Sequence, residues 1–233
     1  MRNTNLQNTA VLIFANSAKV DARNKIAVSD VKLFHALTSH TIKIVKKSGL
    51  PFFHITEKEQ CGTTFGERFS NAVKAVYNKG YANVITIGND TPQLKTHHLI
   101  EANNQLGLGK TILGPAQDGG FYLMGLHQSN FDPELFVRLP WQRFGLFNKI
   151  SQLFKSLGSD LYQLQVLHDI DDKADVITLL NFFRQLPFSV FNILQSFIKN
   201  SFPIALRHIG NPTKHFTPNY NNKGSPFLFL FCR

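Results

Sequence analysis

Cysteine is scarce in this chain of 233 residues, with only Cys61 and Cys232 present. Two cysteines make neither a disulfide framework nor a zinc-ligand spacing, so a reducing interior, the cytoplasm, is the expected setting. Charge is sparse too, at 17% of residues against 43% hydrophobic. That balance argues against general disorder and leaves enough apolar material for a core. No apolar run approaches the roughly 20 residues of a membrane span. The polar stretch Met1–Asn8 lacks the apolar middle of a signal peptide. Negative charge is missing altogether after Asp175, while Arg184, Lys199, Arg207, Lys214, Lys223 and Arg233 add to a net charge of +10. A tail of that kind suits an anionic partner. The chain also lacks a G-x-G-x-x-G, which removes the main support for a dinucleotide dehydrogenase. Gly107-Leu108-Gly109-Lys110-Thr111 looks like the end of a phosphate-binding P-loop. Asn104 stands where the first glycine is needed, however, and the segment follows a helix and precedes a strand, the reverse of a phosphate cradle. It reads as a helix stop and a turn.

Apolar runs alternate with amphipathic segments. Thr9–Ala15, Pro51–Ile55, Asn83–Gly88, Thr111–Leu113, Phe121–Leu126 and Tyr162–Leu167 read as strands. Between them lie predicted helices: Asp30 to Lys47, Phe65 to Lys79, Thr96 to Leu106, Leu146 to Leu157 and Asp172 to Leu186. The alternation predicts an α/β fold, a mostly parallel central sheet flanked by helices. The first 186 residues form the predicted domain, and residues 187–233 a basic, partly apolar extension. Within that extension Val190–Ile198 reads as a helix, Ile209–Gly224 as a loop, and Phe227–Phe231 as a closing strand or a sticky end. Phe188, Phe191, Leu194, Phe197 and Ile198 form an apolar stripe, read first as core packing. Peripheral contact with an anionic membrane is the alternative. No nucleic acid is expected, since the basic tail lacks a platform of interleaved aromatics.

Carboxylates at strand ends carry the chemistry. In such sheets ligands sit outside the carboxyl ends of the strands. Ile87-Gly88-Asn89-Asp90-Thr91-Pro92 delivers Asp90 there, where it either binds a cation or caps the next turn. Gly114-Pro115-Ala116-Gln117-Asp118-Gly119-Gly120-Phe121-Tyr122 places Asp118 at a sharp turn, either as a group addressing substrate or as an ordinary hairpin start. Asp169-Ile170-Asp171-Asp172 puts Asp169 and Asp171 on one side of an extended segment, where one of them binds the metal or all three acids are cap and turn residues. Asp171 is the expected ligand and Asp172 the expected cap of the next helix. Asp90 and Asp171 sharing one Mg²⁺ or Mn²⁺ is the predicted metal site, because hard cations take oxygen ligands. His97-His98 has poor ligand geometry, and His168 reads as a surface residue.

Three motifs together resemble a known family: VITIGNDTPQL (residues 84–94), LGPAQDGGFYLMGL (113–126) and LHDIDDKADV (167–176). They are similar to bacterial glycosyltransferase-like transferases of the rSAM/selenodomain-associated type, related to the guanylyltransferases of cofactor F420 biosynthesis. Gly66-Glu67-Arg68-Phe69 and Leu139-Pro140-Trp141 fit the same pattern, and the resemblance spans about residues 9–183. It implies a glycosyltransferase A-type, nucleotide-diphospho-sugar transferase fold. Asp90 and Asp171 fall at the metal positions and Asp118 at the substrate-side acid. Gly119, Gly120 and Tyr122 then line the substrate. The nucleotide falls to Ala15, Asn16, Lys19, Arg23 and Lys25 after the first strand, and to Asn89. One departure stands out: the Pro-Gly pair usual in that first loop is missing, though Lys19, Arg23 and Lys25 keep its positive charge.

The expected activity is metal-dependent transfer from a nucleotide or nucleotide-sugar donor to an acceptor the sequence does not identify, most of all glycosyl transfer. The alternatives are nucleotidyl transfer with release of pyrophosphate, and a non-catalytic nucleotide-binding homologue.

Overall fold

The computed structural model describes residues 8–25 and 28–201. Six strands form one sheet in the order β2-β1-β3-β5-β4-β6. They are β1 (Thr9–Phe14), β2 (Phe52–Ile55), β3 (Asn83–Ile87), β4 (Thr111–Pro115), β5 (Phe121–His127) and β6 (Leu161–Gln163). β1 pairs in parallel with both β2 and β3, β4 with β6, and β5 alone runs antiparallel, between β3 and β4. The mostly parallel sheet expected from the alternation is therefore present. The chain leaves β1 toward β2 on one side and returns as β3 on the other. This reversal opens a crevice at the carboxyl ends of β1 and β3, where doubly wound sheets bind ligands.

Period-2 alternation divides the core. Val11, Ile13, Ile85 and Ile87 face a cluster with Ile44 and Val45 of α2 (Val31–Ser48) and Leu99 and Ala102 of α4 (Thr96–Gly107). Ala10, Leu12 and Val84 face the other side, toward Phe69, Val73 and Val76 of α3 (Phe65–Tyr77) and Ile150 and Phe154 of α6 (Leu146–Ser156). Strands buried on both faces read as continuous apolar runs, which is how β1 and β3 look in the sequence.

Three local differences from the sequence reading have physical causes. Residues 16–25 were expected as a loop, but Ala18–Asn24 forms a short helix, α1. Without the Pro-Gly pair, nothing in that segment forbids helical backbone. A second short helix, α5 (Pro133–Val137), starts from an Asp132 cap with proline in its first turn, a helix-start signal present in the sequence. The last strand is shorter than Tyr162–Leu167. It pairs regularly only to Leu113↔Gln163 and then touches once more at Ala116↔Leu167. One extra residue intervenes on that side, and the irregularity falls beside Pro115, which has no N–H to continue a ladder.

Helix α7 (Lys173–Leu180) starts from Asp172, whose carboxylate accepts from the N–H groups of Ala174 and Asp175. It ends earlier than the sequence pattern suggests, and a 3₁₀ turn follows at Phe183–Gln185. Helix α8 (Phe188–Ser201) buries Val190 and Leu194 among Leu33, Phe34 and Leu37 of α2 and Val176 and Leu179 of α7. Its apolar stripe packs on helices, while Phe188 stays 79% exposed. The expectations for Ile209–Gly224 and Phe227–Phe231 lie outside the described residues. Among the described residues no helix is long and apolar enough to cross a membrane. Gly107 ends α4 and Gly109 turns with positive φ, so the P-loop look-alike is the helix stop it was read to be.

Candidate active site

The crevice is built from the loops after β1, β3 and β6. In the first, buried Asp21 of α1 accepts hydrogen bonds from Asn16 Nδ2 at 3.1 Å and Asn89 Nδ2 at 3.0 Å. Asn89 also donates to Thr38 Oγ1 at 3.0 Å. Asp21 thereby ties the β1 loop to the β3 loop. Burial raises its carboxyl above the usual range, with the two amides opposing. Glu57, beyond β2, accepts from the Ser17 N–H at 2.6 Å and from Ser17 Oγ at 2.8 Å. Burial works to raise the Glu57 carboxyl, but these bonds outweigh it and hold the group below its ordinary value. A carboxylate of the protein itself thus covers the backbone N–H that opens α1.

Lys25 follows α1 and points into the crevice. Its Nζ lies 2.8 Å from Asp90 Oδ2 and 2.8 Å from Asp171 Oδ1, and it donates to the Ile170 carbonyl at 2.7 Å. The two expected metal ligands therefore do converge, within the span of one ammonium group. Burial pushes the lysine toward its neutral form, but the charges of Asp90 and Asp171 prevail and raise its pKa.

Each carboxylate has a local reason to be where it is. β3 ends at Ile87, and Gly88 leaves room for Asp90: a Cβ there would lie 3.0 Å from Asp90 Oδ1. The Ile170 N–H donates to the Asp90 carbonyl at 3.0 Å, which ties the third acidic segment to the first. Thr91 Oγ1 donates to Asp169. The Asp169 carboxyl is driven well above the ordinary range, by burial first and then by the charge of Asp90, with the Thr91 bond opposing. Asp118 accepts from the Gly120 N–H at 2.9 Å, at a turn where Gly119 takes φ +90°. A φ of that sign favours glycine. Loss of hydration, then the charges of Asp171 and Asp90, raise the Asp118 carboxyl. Asp90, Asp118, Asp169 and Asp171 thus share one field.

The other expected residues divide. Asn16 and Asn89 stand in the crevice through Asp21, and Ala15 is buried at its floor. Lys19 and Arg23 are exposed and four residues apart on α1, so they share a face. Tyr122 must be corrected: it is buried, its ring covers Gly114, and its hydroxyl donates to the Gln165 carbonyl at 3.0 Å. It supports the β4–β5 floor and presents no face to a substrate. His168, read as a surface residue, is half-buried with its ring against Phe182. The sequence reading missed Asp21, Glu57 and the Thr91–Asp169 pair. Asp21 left a signal, as the one acidic residue in a basic segment, and Asp169 left one in its alternation with Asp171.

Among the described residues no group of three His, Cys, Asp or Glu side chains is placed to hold a metal ion. The donor set at the convergence point, Asp90, Asp171 and the Ile170 carbonyl, is all hard oxygen and suits magnesium or manganese by its chemistry. The room at that point belongs to Lys25 Nζ.

A family model described as "Uncharacterized protein conserved in bacteria (DUF2064)" matches residues 27–143, half of the chain. The chain belongs to this family. The DUF2064 match contains Asp90 and Asp118 and excludes Lys25 and Asp171. A search of curated proteins found no match. Among solved structures, the chain is similar to a proposed nucleotide-diphospho-sugar transferase from Desulfovibrio desulfuricans G20. The two are 20% identical with a TM-score of 0.68, over 83% of this chain and 97% of that one. A cytidylyltransferase from Leptospira borgpetersenii serovar Hardjo-bovis is 16% identical, TM-score 0.45, over 88% and 99% of the two chains. Rv0371C from Mycobacterium tuberculosis H37Rv, in complex with manganese, is 12% identical, TM-score 0.39, over 75% and 98%. The first of these shows the fold of this DUF2064 chain, the nucleotide-diphospho-sugar transferase fold. The other two are too dissimilar to carry an argument.

Proposed function

We propose that this DUF2064 chain is a transferase acting on a nucleotide-activated donor, with a sugar as the group moved. The observation that carries the reading is the meeting of Asp90 and Asp171, from distant strand ends, on a single cation at the sheet's switch point. Donors whose leaving group is a diphosphate need positive charge beside it as the bond breaks. Asp90 and Asp171 are the residues that would hold Mg²⁺ or Mn²⁺, which would neutralise the departing diphosphate. Asn16 and Asn89, fixed by Asp21, face the nucleotide from the β1 and β3 loops. Lys19 and Arg23 supply exposed charge for its phosphates. Asp118, on the same edge of the sheet beyond β4 and with its carboxyl raised above the usual range, addresses the sugar or the acceptor hydroxyl. Gly119 and Gly120 let the backbone come close there.

A thermal-shift panel of nucleotides and nucleotide sugars, with and without Mn²⁺, tests this. A nucleoside diphosphate sugar is expected to stabilise the protein more with the ion than without. Asp90→Asn is expected to remove the ion-dependent part, and unchanged binding would defeat the assignment. Pyrophosphate released from a nucleoside triphosphate would instead identify nucleotidyl transfer.

A further inference from the structure

The contacts of Lys25 in the crevice are ones the proposed chemistry does not need. Lys25 reaches across the mouth of the site and spends all three ammonium protons there. Two go to the carboxylates at 2.8 Å each, and one to the Ile170 carbonyl at 2.7 Å. An ammonium has three donors and no more. Its lateral surroundings close the set, with Nζ 6.0 Å from the centre of the Phe34 ring. The same three oxygens form the hard donor set described above for a divalent ion.

We infer that Lys25 is an internal competitor for the divalent cation: its ammonium and the metal ion exclude each other from the Asp90–Asp171 pair. An ion coordinated by both carboxylates would stand where Nζ stands, and two cations cannot share that point. Metal entry therefore requires Lys25 to withdraw. A withdrawn Lys25, at the C-cap of α1, stays in the same short basic segment as Lys19 and Arg23 and adds its charge to theirs for the donor's phosphates. The free protein holds divalent ions weakly for this reason, and a donor that attracts Lys25 with its phosphates opens the carboxylates to the ion. This rests on the reading of Asp90 and Asp171 as the cation pair, and its test uses the metal alone, so that it fails or stands separately from the transferase assignment.

The test is Mn²⁺ binding to the full chain without nucleotide, followed by electron paramagnetic resonance of the free ion. Wild type is compared with Lys25→Met, which keeps an unbranched side chain one atom shorter and removes its charge, and with the double variant carrying Asp90→Asn as well. Lys25→Met is expected to bind Mn²⁺ at least tenfold more tightly than wild type, and the added Asp90→Asn to abolish the gain. Equal or weaker binding by Lys25→Met overturns the proposal, as does a gain that survives loss of Asp90. Two carboxylates left without their ammonium repel each other, so circular dichroism confirms that the variant folds. Lys25→Gln, which retains a hydrogen-bond donor, carries the same expectations if it does not.

Discussion

His98 illustrates how a single residue can be fixed by its surroundings. It is 2% exposed, its Nδ1 accepts from the Lys95 N–H at 3.0 Å, and its Nε2 lies 2.7 Å from the Gln165 amide. With Nδ1 accepting, the proton of the neutral ring sits on Nε2, and the Gln165 amide must present its oxygen. Burial, reinforced by the charge of His97, lowers the pKa to about 4. Below the ordinary histidine value of roughly 6.5 the unfolded chain takes up a proton that the folded one refuses. Stability contributed by the neutral ring is therefore complete above that value and is lost as pH falls from about 6.5 to about 4. The loss is on the order of 3 kcal/mol. Urea denaturation across this range is expected to show a steeper fall for wild type than for His98→Gln. Parallel curves would refute the assignment. The sequence reading dismissed this histidine as a ligand on helix geometry alone, and its burial came from the loop after β6, which spacing along α4 cannot report.

At the scale of elements, Gly66 joins two short motifs that the sequence shows far apart. It lies in the first turn of α3, and a Cβ there would come within 2.8 Å of both the Trp141 ring and the Val137 carbonyl. Trp141 also donates to the Phe136 carbonyl at 2.6 Å and packs 4.8 Å from Phe69. Glycine in an exposed helix costs about 1 kcal/mol relative to alanine, so Gly66→Ala would ordinarily stabilise. Here overpacking reverses the sign, and a loss of about 1–3 kcal/mol is expected in chemical denaturation. A neutral or positive result would show that α5 and Trp141 move away freely. The helices themselves were legible: α2 starts at its Asp30 cap and stops at Gly49 in left-handed backbone, because caps and apolar spacing are local properties. β6 was not legible to its end, because its length depends on what its neighbour can pair.

For the molecule as a whole, α8 decides how the helical layer beside the crevice is held. Leu194 is fully buried among side chains of α2 and α7. Leu194→Ala is expected to cost about 2–5 kcal/mol by equilibrium unfolding, since a packed layer collapses only partly around the space left. A cost below about 1 kcal/mol would show that α8 is dispensable to the domain. Because α2 also carries Thr38, which accepts from Asn89, such a loss is expected to loosen the nucleotide side of the crevice as well.

The sequence by itself determined the class of fold and the places where carboxylates leave the sheet. Both follow from periodicity and turn chemistry that act within a few residues. Tertiary structure alone decided what those carboxylates hold. Lys25 meets Asp90 across 65 residues and the Ile170 carbonyl across 145, and Glu57 meets Ser17 across 40. Charges that far apart in the chain pair only after the sheet has closed, when burial makes each one find the partner that costs least to bring out of water.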